Sequence, residues 1–198
     1  DMRAGKWHRT FWAVKGMELR DRTLGLVGAG RIGGIVATVA RAVGMTVIVF
    51  DPYLSDARAA ELGVTRAPDL EALLRQSDVV SLHAPSTPDT YHLINAARLA
   101  QMKPGALLIN TARGALVDEA ALVEALKSGH LGGAGLDVFE QEPISPDHPL
   151  FQFENVVLTD HIASHTWAGH HRLYETAARH LLQVMRGETP EGLLNPGV

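Results

Sequence analysis

Residues 24–37, LGLVGAGRIGGIVA, decide the fold: an apolar run, Leu24 to Val27, breaks into Gly28-Ala29-Gly30-Arg31-Ile32-Gly33 and resumes as a small-residue helix pattern. That reads as a strand, a phosphate-gripping turn and a helix. Gly28 allows the tight turn, Gly30 lets the backbone approach a pyrophosphate, and Gly33 lets the helix pack on the strand while its N-terminal N–H groups face the anion. A glycine turn of this kind also occurs in other α/β proteins, so its context matters. Eighteen residues past Gly33, the run Met45 to Phe50 ends in Asp51. A carboxylate at the tip of a second strand suits the ribose diol of NAD and repels the extra phosphate of NADP, so NAD is the expected cofactor.

Outward from that stretch the chain repeats one theme. Helices are expected from about Ser55, after a cap at Asp69, near Ala96 to Met102, from the Asp118 cap to Lys127, and from about Trp167 to Arg186. Short apolar runs alternate with them around Val64 and at Val79–Leu82, Ala106–Asn110, Ala134–Leu136 and Val156–Leu158. The alternation predicts an α/β fold, a doubly wound, mostly parallel Rossmann sheet with helices on both faces. Ligands of such sheets lie beyond the carboxyl ends of the strands. The residues at those ends are Gly28 to Gly33, Asp51, His83-Ala84-Pro85, Asn110 to Arg113, Asp137 and Asp160-His161. A guanidinium, carboxylates and imidazoles converging there read as one site.

Composition narrows the function classes. The 198 residues carry a formal net charge of −4 with scattered Lys and Arg, so neither a nucleic acid nor a membrane is an expected partner. Without cysteine there is no disulfide, thiol nucleophile or zinc–thiolate site, and a cytoplasmic location is expected. No apolar run reaches spanning length, and the first residues have no signal-peptide core. The opening stretch, with Trp7, Phe11, Trp12 and Val14, reads as a helix tail whose aromatics cover a surface of this domain or of a partner. Of the ten histidines, five are His161, His165, His170, His171 and His180. His165 and His170 are spaced to lie near one helix face, which makes a metal site the minority reading there, because no nearby Cys and no convincing carboxylate completes a ligand set. Some of these imidazoles, with Trp167 as an apolar wall, fit a substrate cleft better.

At Asn110–Glu119, NTARGALVDE, and Gly133–Pro143, GAGLDVFEQEP, the sequence closely resembles the D-isomer-specific 2-hydroxyacid dehydrogenases, which include phosphoglycerate, glyoxylate/hydroxypyruvate and D-lactate dehydrogenases. The resemblance runs from Gly5-Lys6-Trp7 through VGAGRIGG (27–34), VSLHAPSTPDT (80–90) and MKPGALLINTARG (102–114) to Asn195. It implies hydride transfer between NAD(H) and a small 2-hydroxy or 2-keto acid, with Arg113, Glu142 and His161 as the catalytic residues. Carried onto this sequence, it puts the pyrophosphate on Arg31 and Ile32, the adenosine ribose on Asp51 and adenosine-side contacts around His83 and Pro85. The nicotinamide carboxamide falls to the backbone at Thr111 and Ala112 and to the side chain of Asp137. The roles make chemical sense. Histidine has the pKa to give a proton to the carbonyl oxygen, a carboxylate beside it favours imidazolium, and arginine grips a carboxylate without titrating.

The resemblance also divides the chain. Residues 1–22 are expected to be a helix tail and linker, 23–192 the NAD-binding Rossmann domain, and 193–198 the start of a return to a substrate domain otherwise absent. On that reading the chain binds NAD with little turnover, because hydride transfer needs near-contact geometry and excluded water. A homodimer through this domain is expected. One departure from the pattern is Asp160, where the family commonly has proline before the catalytic histidine; a carboxylate pointing inward there would also favour imidazolium. Two competing functions stand beside the dehydrogenase. One is an NAD-responsive interaction protein like the C-terminal-binding-protein corepressors. The other, a Rossmann methyltransferase, is weakened by the Arg113 and Glu142 motifs.

Overall fold

A computed structural model describes residues 16–193. Seven strands form one sheet: β1 (Thr23–Val27), β2 (Thr46–Phe50), β3 (Thr65–Arg66), β4 (Val79–Leu82), β5 (Leu107–Asn110), β6 (Gly133–Leu136) and β7 (Val156–Leu158). Every pairing is parallel, and the spatial order is β3-β2-β1-β4-β5-β6-β7. The chain therefore winds one way from β1 to β3, returns to lay β4 beside β1, and winds the other way to β7. The switch point lies between β1 and β4, where a parallel sheet opens a crevice for ligand.

The helices are α1 (Arg31–Ala42), α2 (Asp56–Leu62), α3 (Leu70–Gln76), α4 (Ala96–Leu99), α5 (Glu119–Lys127) and α6 (Trp167–Met185). Side chains alternate across the strands, so each strand feeds two cores. Leu24 and Leu26 of β1 and Val47 and Val49 of β2 pack with Ala37 and Ala40 of α1 and Leu62 of α2. Val27 and Ile48 point the other way, into a second core with Leu73 and Leu74 of α3, Leu99 of α4 and Leu122 of α5. Each fully buried leucine contributes roughly 1.5–3 kcal/mol, so the doubly wound arrangement is what lets both faces of the sheet pack.

Helix starts follow the expected chemistry with one exception that matters. Ser55, Asp69, Asn95, Asp118 and Thr166 each accept a backbone N–H of the following turn through the side chain. Gly30, the N-cap of α1, has no side chain and caps nothing. The helix expected to reach Met102 ends at Leu99. Pro104 disfavours the helical conformation at Lys103, and the chain closes instead through Gln101 N–H to Arg98 C=O and Met102 N–H to Leu99 C=O.

The chain divides into two compact units, Asp1–Leu158 and Thr159–Val198. The sheet and α1 to α5 belong to the first unit, and α6 belongs to the second. The aromatic stretch at Trp7 to Val14 and the return expected after Leu193 lie outside the described residues. No described helix is long and apolar enough to cross a membrane.

Candidate functional site

The turn after β1 is built by close approach. Gly28 has φ +95° and receives its backbone geometry from a bond between its N–H and the Phe50 carbonyl, 2.9 Å. A Cβ at this position would lie 2.8 Å from the carbonyl oxygen of His83, the residue that follows β4. Only glycine fits. A Cβ on Gly33 would collide with the Gly28 carbonyl, so Gly33 lets α1 start directly against the turn. Around Gly30, by contrast, there is open space. An uncapped helix start facing an opening presents orphan N–H donors with a positive dipole end, the donor set a pyrophosphate needs.

Asp51 closes the turn from the β2 side. Its Oδ2 accepts the Ala29 N–H at 2.8 Å and its Oδ1 accepts the Tyr53 N–H at 2.9 Å. Each carboxylate oxygen retains a lone pair, and the bonds fix where those lone pairs point. The acidic residue thus holds the glycine turn while lining the cavity beside it. Tyr53, which sequence reasoning missed, stands almost fully exposed at the rim, and no local pattern marks it.

Two neighbouring cavities lie at the switch point. One, of about 580 Å³, is lined by Gly28, Gly30, Asp51 and Tyr53, with Arg98 and Glu71 in its far wall. The other, of about 610 Å³, is lined by Arg31, Ile32, Thr111, Ala112 and Arg113. His83, Ala84 and Pro85 line both. Burial pushes the His83 imidazole below its ordinary pKa, and its Nε2 lies 3.0 Å from Ser81 Oγ. Thr90 shapes the same wall by donating its hydroxyl to the Pro85 carbonyl at 2.7 Å.

The Thr111–Arg113 turn is set by Asn110, a polar residue at the end of the apolar strand β5. Its side chain accepts the Ala112 N–H at 3.0 Å and donates to the Arg113 carbonyl at 2.8 Å, while the side chain itself is buried. Arg113 is exposed and folds its Nη1 onto the Ala112 carbonyl.

Of the expected site residues, Gly28, Gly30, Arg31, Ile32, Asp51, His83, Pro85, Thr111, Ala112 and Arg113 line this pair of cavities. Gly33 lies beneath it as packing. Asp137 and Glu142 line neither cavity. Asp137 is buried at the end of β6, its N–H bonded to the Asn110 carbonyl at 3.0 Å, and Glu142 lies on an exposed loop with Oε1 accepting the Phe139 N–H at 3.0 Å. His161 belongs to the second unit and has φ +59°, an uncommon conformation for a residue with a side chain. In that unit His165 precedes the helix, and its ring packs edge-on against His170 at 4.9 Å.

The family profile described as D-isomer specific 2-hydroxyacid dehydrogenase, NAD binding domain, matches residues 1–163. The chain belongs to that family. A glyoxylate reductase from Korarchaeum cryptofilum is 48 % identical over 200 residues, an alignment covering all of this chain and 60 % of the relative. Among solved structures, the TT0316 protein from Thermus thermophilus superposes with a TM-score of 0.87 at 47 % identity, covering 96 % of this chain and 59 % of that one. D-lactate dehydrogenase with NAD+ from Lactobacillus jensenii superposes with a TM-score of 0.85 at 32 % identity, covering 96 % and 60 %. The chain thus spans about three-fifths of the length of these relatives. Within this dehydrogenase family the matched segment is the NAD-binding domain, and the uncapped α1 and the Asp51 carboxylate fit that cofactor.

Proposed function

We propose that this chain is the coenzyme domain of an oxidoreductase that transfers a hydride between NAD(H) and a small 2-keto or 2-hydroxy acid. The observation that carries the reading is that Arg113 shares a cavity with Arg31 and Ile32 at the uncapped start of α1. A guanidinium beside a pyrophosphate cradle, at the end of the cavity pair away from Asp51, suits an anionic substrate held next to the nicotinamide. Asp51, with His83 and Pro85 beside it, would hold the adenosine, and the backbone at Thr111 and Ala112 would hold the carboxamide, with Asp137 behind them at the end of β6.

Held there, NAD would supply or receive the hydride. The chain's own residues do the rest: Arg113 binds the substrate carboxylate and polarises its carbonyl, His161 holds and moves the proton, and Glu142 favours the imidazolium form. Relatives named glyoxylate reductase and D-3-phosphoglycerate dehydrogenase support a short 2-keto or 2-hydroxy acid as substrate. The reading includes a homodimer formed through this domain and a cytoplasmic location, in keeping with the absence of cysteine.

The test is NADH oxidation by the intact polypeptide that carries this chain, with glyoxylate, hydroxypyruvate and pyruvate as substrates. Turnover of at least one, abolished in His161→Ala, is expected. Failure with all three, while NADH still binds, would remove the oxidoreductase reading.

A further inference from the structure

Four ionisable side chains outside the proposed catalytic set form a closed arrangement beside it. The N–H of Glu119 donates to Glu140 Oε1 at 2.8 Å, and the N–H of Glu140 donates to Glu119 Oε1 at 2.6 Å. The outer oxygens are taken as well: Glu140 Oε2 lies 2.9 Å from His92 Nε2, and Glu119 Oε2 lies 3.1 Å from His148 Nε2. All four carboxylate oxygens thus have a partner, and the four side chains are only 13–29 % exposed. The arrangement joins four separate stretches of chain.

Its location gives it a purpose. Glu119 opens α5, six residues after Arg113, and Glu140 lies two residues before Glu142. Between the anchors at Glu140 and His148 the chain makes an exposed excursion in which only Ile144 is partly covered. Glu142 is on that excursion. A second contact fixes the same two segments: a Cβ on Gly114 would collide with the Phe139 carbonyl, so the backbone after Arg113 lies directly against the backbone before Glu142. We propose that Glu119 and Glu140 are a positioning pair that holds the Glu142 loop at a fixed place relative to Arg113. The proposal rests on the function proposed above.

A purely structural pairing would not need two acids. Burial, and the neighbouring Glu140 charge with it, keeps the Glu119 carboxyl above its ordinary pKa despite the bonds from the Glu140 N–H and His148. A glutamine at either position would make the reciprocal backbone bond without that repulsion. What the carboxylates add is a second acceptor each for an imidazole, which locks the pair against rotation from both ends.

The test uses the intact polypeptide. Glu140→Ala is expected to lower kcat for keto-acid reduction by about tenfold or more, as loss of positioning does, with NADH affinity kept within about twofold. Because a displaced Glu142 no longer favours imidazolium, the high-pH limb of kcat/KM should move to lower pH, in the direction Glu142→Gln moves it. Glu140→Gln keeps the acceptor for the Glu119 N–H but loses the one facing His92 Nε2, so it should recover part of kcat and move the limb part of the way back. Should Glu140→Ala fail to fold, His92→Phe keeps a ring but removes the nitrogen that meets Glu140 Oε2, and it should move kcat and the limb in the same direction by a smaller amount. A fall in Tm with kcat and the pH limb unmoved would overturn the positioning role. No turnover by the unsubstituted polypeptide would instead overturn the proposed function, and this role with it.

Discussion

The two halves of the cavity pair are built on different principles. On the Gly28–Asp51 side, backbone approaches backbone so closely that no side chain fits at Gly28 or Gly33, and the Asp51 carboxylate is fixed by two backbone N–H donors, Ala29 of the glycine turn and Tyr53 of its own turn. On the Arg113 side, an exposed guanidinium and, outside the cavity, the exposed Glu142 carboxylate stand on loops held through side chains, by the Asn110 amide on the Arg113 carbonyl and by the exchange between Glu119 and Glu140. The first half is set by backbone packing. The second presents the charged side chains of the proposed catalytic set from loops, and such an arrangement is more sensitive to a single side chain.

The difference is broken most directly at Arg113. Arg113→Lys in the intact polypeptide should lower kcat/KM for the keto acid by about 100-fold, because a point charge cannot reproduce the bidentate grip, while NADH affinity is unchanged. Steady-state kinetics beside a binding titration measures both. Gly28→Ala should have the converse signature. Its positive φ and the 2.8 Å approach to the His83 carbonyl make a Cβ cost about 1–3 kcal/mol of stability, read by denaturant unfolding, and NADH binding should vanish with the turn. A Gly28→Ala chain that binds NADH normally would mean the turn is not the receptor.

Smaller effects sharpen the contrast. Asp51→Asn keeps one acceptor for the turn but removes the charge, so the preference for NADH over NADPH should fall by about tenfold, roughly 1.4 kcal/mol, in competition titrations. The smallest effect is a pH dependence. Burial lowers the folded-state pKa of His83 beneath its unfolded value near 6.5, so the folded state resists protonation. The stability linked to this group is therefore complete above about pH 6.5 and declines as pH falls from there towards the folded pKa. Thermal unfolding from pH 8 to pH 5 should show a decline in Tm that His83→Asn reduces, and the difference between the two proteins cancels the opposite contribution of Glu119.

How much of this was legible in the sequence follows the same division. The glycine turn, its helix and Asp51 obey local rules of backbone geometry and spacing, so LGLVGAGRIGG and the acid ending the next strand identify both sheet and receptor. The helix caps at Asp69 and Asp118 are legible for the same reason. Asn110 carries a weaker signal, an amide at the end of the apolar strand LLIN, from which the bracing of the Arg113 turn does not follow. Nothing local announces the Glu119–Glu140 exchange, because its partners are 21 residues apart and follow no helical or strand period. Tyr53 escapes for a similar reason: its place at the rim is set by the turn that Asp51 holds.

Calorimetric titration of this chain with NADH and NADPH in parallel reads out whether the Gly28–Asp51 half receives NAD. Saturable NADH binding, with NADPH weaker by about tenfold or more, is the expected result. Equal affinity for both nucleotides, or no binding of either, would contradict it.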